Sequence, residues 1–161
     1  MADSEIHIVR EDDPRCAELE AAGYTVVGLS WGAHLRLGEP PDLTSMTAAI
    51  VRAKARGLTC VELSDSHAQL IALVDNASAD DYPVTPATFH DPQTSESIAA
   101  AFGSGARFWG GFIEGELVAI TGVEPKGERW NTAFTSVLPA HRHLGFGTAL
   151  KGTSIVARKV G

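Results

Sequence analysis

The chain has 161 residues, 44% of them hydrophobic and 20% charged, with a formal net charge of −7 at pH 7. That length supports one globular domain with a proper core, or one domain and a small appendage, and the apolar fraction excludes wholesale disorder. No run approaches the ~18 consecutive apolar residues of a membrane helix, no basic segment followed by an apolar one marks a secretory signal, and a pI of about 5.3 argues against general nucleic-acid binding. The expectation is a soluble cytoplasmic protein with neither membrane nor nucleic acid as partner. Cys16 and Cys60 stand far apart in apolar-rich segments. They read as small buried hydrophobes in a reducing compartment, not as a disulfide or a metal site.

In chain order, Glu5 to Arg10 alternates weakly, as a short strand does. Asp12-Asp13-Pro14 opens a helix that runs to Ala22 and stops at Gly23. Tyr24 to Leu37 is rich in β-branched and aromatic residues and predicts a strand bent at Gly28 or Gly32. Gly38-Glu39-Pro40-Pro41 is a break. From Asp42, the residues Leu43, Met46, Ile50 and Ala53 recur at helical spacing until Gly57. Leu58 to Leu63 predicts a buried strand, and Ser64-Asp65 caps a helix carrying Leu70, Leu73 and Val74.

A polar loop from Asn76 to Asp91 follows, with Tyr82-Pro83 and Thr85-Pro86 as turns. Asp91-Pro92 opens a helix closed by Gly103. Then come three antiparallel strands, Arg107 to Ile113, Glu116 to Val123 and Trp130 to Leu138, joined by turns at Glu114-Gly115 and Pro125-Lys126-Gly127. A loop from Pro139 to Phe146 leads into a helix from Gly147 to Val160. The Pro40-Pro41 break suggests an N-terminal segment (1–41), a bridging helix (42–57) and a core (58–161).

Charge is unevenly distributed. From His141 to Gly161 there is no acidic residue, whereas Arg142, Lys151, Arg158 and Lys159 are basic. A basic segment on an acidic protein suggests a local anion site, although basic residues also complement the C-terminal end of a helix dipole. The decisive stretch is Ala133-Phe-Thr-Ser-Val-Leu-Pro-Ala-His-Arg-His-Leu-Gly-Phe-Gly-Thr-Ala-Leu-Lys151. A strand ends at proline, a basic loop and two glycines follow, and a helix begins. Glycine lets a ligand approach the main chain, and the free N–H groups of the first helical turn form an anion pocket at the positive end of the dipole. The Arg142 guanidinium adds a group suited to phosphate. The P-loop pattern fails here for want of its lysine and spacing. The dinucleotide fingerprint fails because Leu150 stands where a third glycine is required.

What fits is Arg142-x-x-Gly145-x-Gly147 after a strand and before a helix. With the three strands and two helices upstream, roughly residues 58 to 160, this resembles the GCN5-related N-acetyltransferase (GNAT) superfamily and its Arg/Gln-x-x-Gly-x-Gly/Ala acyl-CoA motif. The resemblance implies an α/β (α+β) fold with a mixed, mainly antiparallel sheet flanked by helices. It implies acetyl-CoA (CoA) as co-substrate and transfer of an acetyl or other acyl group to an amine. It places the main chain of Thr135, Ser136 and Val137 beside the pantetheine arm. It assigns Arg142, His143, Leu144, Gly145, Phe146, Gly147 and Thr148 to the pyrophosphate.

Acyl transfer to an amine needs a base, oxyanion donors and an acid for the leaving thiolate. By resemblance the Val137 amide is the oxyanion donor. Some relatives carry a glutamate six residues before that position, where this chain has Asn131, an amide that orients a water but is no base. Glu124 is then the leading carboxylate, with Glu128 behind it, and Tyr82 is a candidate for lining the acceptor pocket. His141 and His143 lack nearby metal-ligand partners, so no metal is expected.

In relatives a strand, a helix and final strands follow the cofactor helix, and none follows Gly161 here. The segment 5–37, strand–helix–Gly-Tyr–strand, looks like that missing half, supplied by permutation or left from a tandem ancestor. The alternative is an N-terminal extension on a truncated core. The relatives' leaving-group tyrosine is not found; its place is Leu19. An open sheet edge would call for cover, by another copy of the chain or by residues 5 to 37. The expected activity is therefore N-acetyl transfer to a small-molecule or lysine amine. The alternative is a degenerate, non-catalytic acyl-CoA-binding or regulatory module of the same fold.

Overall fold

The computed structural model describes residues 5–82, 84–85 and 90–160. The chain divides into two compact units, Met1–Leu35 with Tyr82–His90, and Arg36–Asp81 with Asp91–Gly161. The turns expected at Tyr82-Pro83 and Thr85-Pro86 lie partly outside the described residues.

Among the described residues of the first unit the one helix is α1 (Arg15–Ala21). It begins where the Asp13 carboxylate accepts the Arg15 amide (2.9 Å) and Pro14 fixes the entering backbone. The strands expected over 5–10 and 24–37 do not form. Ile8, Val26, Leu29 and Trp31 are exposed, Trp31 at 90%. β-branched and aromatic residues favour a strand only when a ladder partner and a face to bury are supplied, and propensity without them yields no strand. The idea that this segment rebuilds half of a sheet thus loses the strands it required.

The second unit is built on one antiparallel sheet in the order β1-β2-β3-β4, formed by β1 (Thr59–Leu63), β2 (Arg107–Ile113), β3 (Glu116–Lys126) and β4 (Arg129–Val137). The helices α2 (Thr44–Ala55), α3 (Ala68–Asn76), α4 (Ser95–Gly103) and α5 (Phe146–Val160) accompany it. Alternation of side chains along each strand gives the sheet two apolar faces. Phe108, Leu117 and Ile120 join Ile71, Val74 and Ile98 of α3 and α4 in one cluster. Trp109, Val118, Ala119 and Val123 join Ala53, Phe146, Ala149 and Leu150 of α2 and α5 in the other. The result is a helix pair on each side of the sheet.

Two boundaries differ from the sequence expectation for an identifiable reason. The fourth helix starts at Ser95 rather than at Asp91-Pro92, because Thr94 and Ser97 form a reciprocal capping box (3.1 and 2.9 Å) that outcompetes the proline as a start signal. The third helix is preceded by a 3-10 turn, Asp65–His67, capped by Ser64 with His67. Two close approaches fix the packing. A Cβ on Gly122 would lie 2.7 Å from the Phe108 ring, and one on Gly152 would lie 3.3 Å from Met46 on α2. Among the described residues no helix is long and apolar enough to cross a membrane.

Candidate functional site

The site begins with the parity of β4. Leu138 donates to the Val118 carbonyl at 2.9 Å, which makes 138 and 118 a hydrogen-bonded pair. Antiparallel alternation then makes Ser136 the next such residue, opposite Ile120, and turns the main-chain groups of Thr135 and Val137 away from β3. The Val137 carbonyl confirms this orientation, since it accepts from Arg142 Nε at 2.9 Å and from the Ser78 hydroxyl at 3.4 Å. By the same alternation the Val137 amide also points away from β3.

Beyond β4, Pro139–His141 form a 3-10 turn, closed by His141 donating to Leu138 and Arg142 to Pro139. The chain then takes two left-handed residues, His143 (φ 61°) and Gly145 (φ 82°). A positive φ is natural for glycine and uncommon for histidine, and such outliers gather at ligand-holding loops. The first bond of α5 runs from Ala149 to the Gly145 carbonyl. Among the described residues, the amides of residues 143 to 148 donate to no backbone or side-chain acceptor. They crown a 15-residue helix, where the dipole adds positive potential.

Packing holds this turn in place. Phe146 is buried and stacks with His141 at 6.4 Å, so its side chain anchors the helix while its amide stays available. Arg56, at the end of α2, donates to the Leu144 carbonyl. A Cβ on Gly147 would lie 3.5 Å from Thr135 and 3.6 Å from Val137, so the helix start rests directly over the end of β4. The Thr135 and Thr121 hydroxyls share a 2.8 Å hydrogen bond across the strands.

Within the second unit the expected site residues separate into two places. Thr135, Ser136, Val137 and residues 142 to 148 come together at the end of β4 and the start of α5. Glu124 and Asn131 face each other across β3 and β4 at the other end, with Asn131 Nδ2 donating to Glu124 Oε1 at 3.1 Å. Six residues of strand, roughly 20 Å at full extension, separate Asn131 from Val137. Tyr82 stacks on His90 in the first unit, rings 4.0 Å apart. Among the described residues no group of three or more His, Cys, Asp or Glu side chains could hold a metal.

Arg142 is placed differently from the sequence expectation. Its guanidinium turns inward, from Nε to the Val137 carbonyl and from Nη2 to Asp81 at 2.7 Å and Ser78 at 3.4 Å. The positive potential at the turn therefore comes from main-chain amides and the helix dipole, not from this guanidinium. Sequence reasoning missed Ser78, Asp81 and the buried Asp75, which accepts from the Ser136 hydroxyl at 2.8 Å. The signal for Asp75 was an acid three and four residues after Ala72 and Ile71, on the face that α3 buries while Leu70 and Leu73 stay exposed, where a carboxylate requires a donor.

No family model matches the sequence, and no curated protein does. Solved structures do. A GNAT family acetyltransferase from Brucella melitensis, in complex with acetyl-CoA, superposes with a TM-score of 0.51 at 18% identity, over 65% of this chain and 69% of that one. The C-terminal DUF2156 domain of an Agrobacterium fabrum protein, described as a lysylphosphatidylglycerol synthetase, gives 0.52 at 13% identity, over 78% of this chain and 39% of that one. The ribosomal-protein-S18-alanine N-acetyltransferase of Escherichia coli gives 0.49 at 13% identity over 63% of this chain. The chain spans 59% of the length of that Escherichia coli enzyme. The fold of this chain is the GNAT fold. Its sheet and helices arrive in the order that the Arg-x-x-Gly-x-Gly resemblance implied.

Proposed function

We propose that this chain binds acyl-CoA and transfers the acetyl group to an amine. The observation that carries the reading is the row of amides from 143 to 148, unclaimed by acceptors among the described residues and set at the start of a helix. Such a row is suited to the pyrophosphate of CoA. The outward Val137 amide, two residues beyond Thr135 on the same edge of β4, is suited to the thioester oxygen as charge develops on it. The bond changes balance without a further reactant. A neutral amine attacks the carbonyl carbon, the C–N bond forms, the C–S bond breaks, and the amine's proton leaves through a base while the thiolate takes one up.

A second reading, a non-catalytic acyl-CoA-binding module, is favoured by one feature. The carboxylate–amide pair of Glu124 and Asn131 is engaged with itself and stands far along the strand from Val137. Calorimetric titration with CoA tests the binding that both readings share. Thiol release from acetyl-CoA across a panel of amines, polyamines and lysine peptides included, separates transfer from binding alone. The acidic net charge suits a cationic acceptor.

A further inference from the structure

The Arg142 guanidinium donates to more separate groups than any other cation among the described residues of the second unit. It reaches three groups from two stretches of chain: the Val137 carbonyl at the end of β4, and the Ser78 hydroxyl and Asp81 carboxylate beyond the end of α3. Its side chain is 29% exposed and that of Asp81 55%, so the pair lies at the rim rather than in the core. The Ser78 hydroxyl closes the set by donating to the same Val137 carbonyl that Arg142 uses. Ser78 is itself fixed, since its amide donates to the Asp75 carbonyl and Asp81 donates to the Ser78 carbonyl. Asp75 in turn receives the hydroxyl of Ser136, the residue before Val137. The last two peptides of β4 are thereby clamped to the segment that follows α3.

We infer that Asp81 is a positioning residue. Acting through Arg142, it holds the Val137 carbonyl and the turn 138–145 in the conformation that leaves the amides of Val137 and of residues 143 to 148 available to a ligand. The inference deepens the acyl-CoA reading and rests on it for the ligand. It reverses the simplest expectation for the motif arginine. A guanidinium that contacts phosphate is weakened by a neighbouring carboxylate, so removing Asp81 would tighten binding. A guanidinium that acts as a strut depends on that carboxylate, so removing Asp81 loosens binding. The two roles predict opposite signs from one substitution.

The experiment measures CoA affinity for the full chain, for Asp81→Asn, for Arg142→Gln and for the double variant, at two salt concentrations. The strut predicts that each single variant weakens CoA roughly tenfold, within the range of coupled network neighbours. It predicts that the double variant is no weaker than the worse single one, and that salt dependence is the same in all four proteins because no phosphate contact has been lost. Tighter or unchanged binding by Asp81→Asn, with a shallower salt dependence for Arg142→Gln, overturns the inference. If the unaltered chain fails to bind CoA, the acyl-CoA reading falls by itself. The strut is then decided by hydrogen exchange at the His141 and Ala149 amides, whose bonds to Leu138 and Gly145 define the turn. Faster exchange in Asp81→Asn supports it, and unchanged exchange overturns it.

Discussion

Asn131 donates its side-chain amide to the carboxylate of Glu124, 3.1 Å away, from directly opposed positions on β4 and β3. Both residues are exposed, and both stand at the end of the sheet remote from Val137. A general base must come within hydrogen-bond reach of the proton it takes, directly or through one water, and its loss costs roughly 10²–10⁴-fold. Glu124→Gln is therefore expected to reduce acetyl transfer, or basal thioester hydrolysis where no amine serves, by less than about tenfold. A loss in the general-base range would return Glu124 to the chemistry.

The left-handed backbone at Gly145 makes a sharper test of the turn. Nothing lies within 4 Å of a Cβ built there, so a substitution meets conformational cost without a clash. Gly145→Ala is expected to lose about 1–2 kcal/mol of stability, read as a drop in the urea midpoint. It is also expected to weaken CoA binding by more than the equivalent change at Gly103, which has open space and no positive φ.

Gly122 presents the opposite case. Its φ is ordinary, but a Cβ would lie 2.7 Å from the buried Phe108 ring. Gly122→Ala is expected to cost about 1–3 kcal/mol through overpacking. Combining it with Phe108→Leu recovers part of that loss in a double-mutant cycle, whereas strict additivity would place the cost elsewhere.

Much of the second unit was legible in the sequence because its signals are local. The turns at Glu114-Gly115 and Gly127 contain residues with positive φ, and the strand–proline–Arg142-x-x-Gly145-x-Gly147–helix order places the amide row within a residue of its observed start. The strands expected at 5–10 and 24–37 failed because strand propensity says nothing of the partner that a ladder requires. The inward turn of Arg142 was hidden for a similar reason. Its carboxylate, Asp81, lies 61 residues away, and nothing local to either side chain announces the pair. Asp75 was visible only as an acid on an apolar stripe, and its donor Ser136 appears only when α3 is laid against β4.

Cys60 gives a pH dependence with a definite sign. It is half-buried, and burial raises its thiol pKa, partly offset by a hydrogen bond from Thr153. Below the ordinary thiol range both folded and unfolded chains keep the proton, and the stabilisation is fully present. As pH rises above that range the unfolded chain releases its proton first, binds fewer protons than the folded one, and stability falls until pH passes the folded-state value. Cys60→Ala is expected to flatten the alkaline limb of stability against pH in chemical denaturation. An unchanged limb would mean that other groups set it.

The central claim is that the main-chain amides at the entrance of α5 receive the CoA pyrophosphate, and amide NMR during titration with CoA tests it most directly. The predicted result is saturable shifts largest at residues 143 to 148 and at Val137, with the amides of α1 unmoved. Shifts centred elsewhere on the chain, or no saturable change at these amides at millimolar CoA, would contradict it.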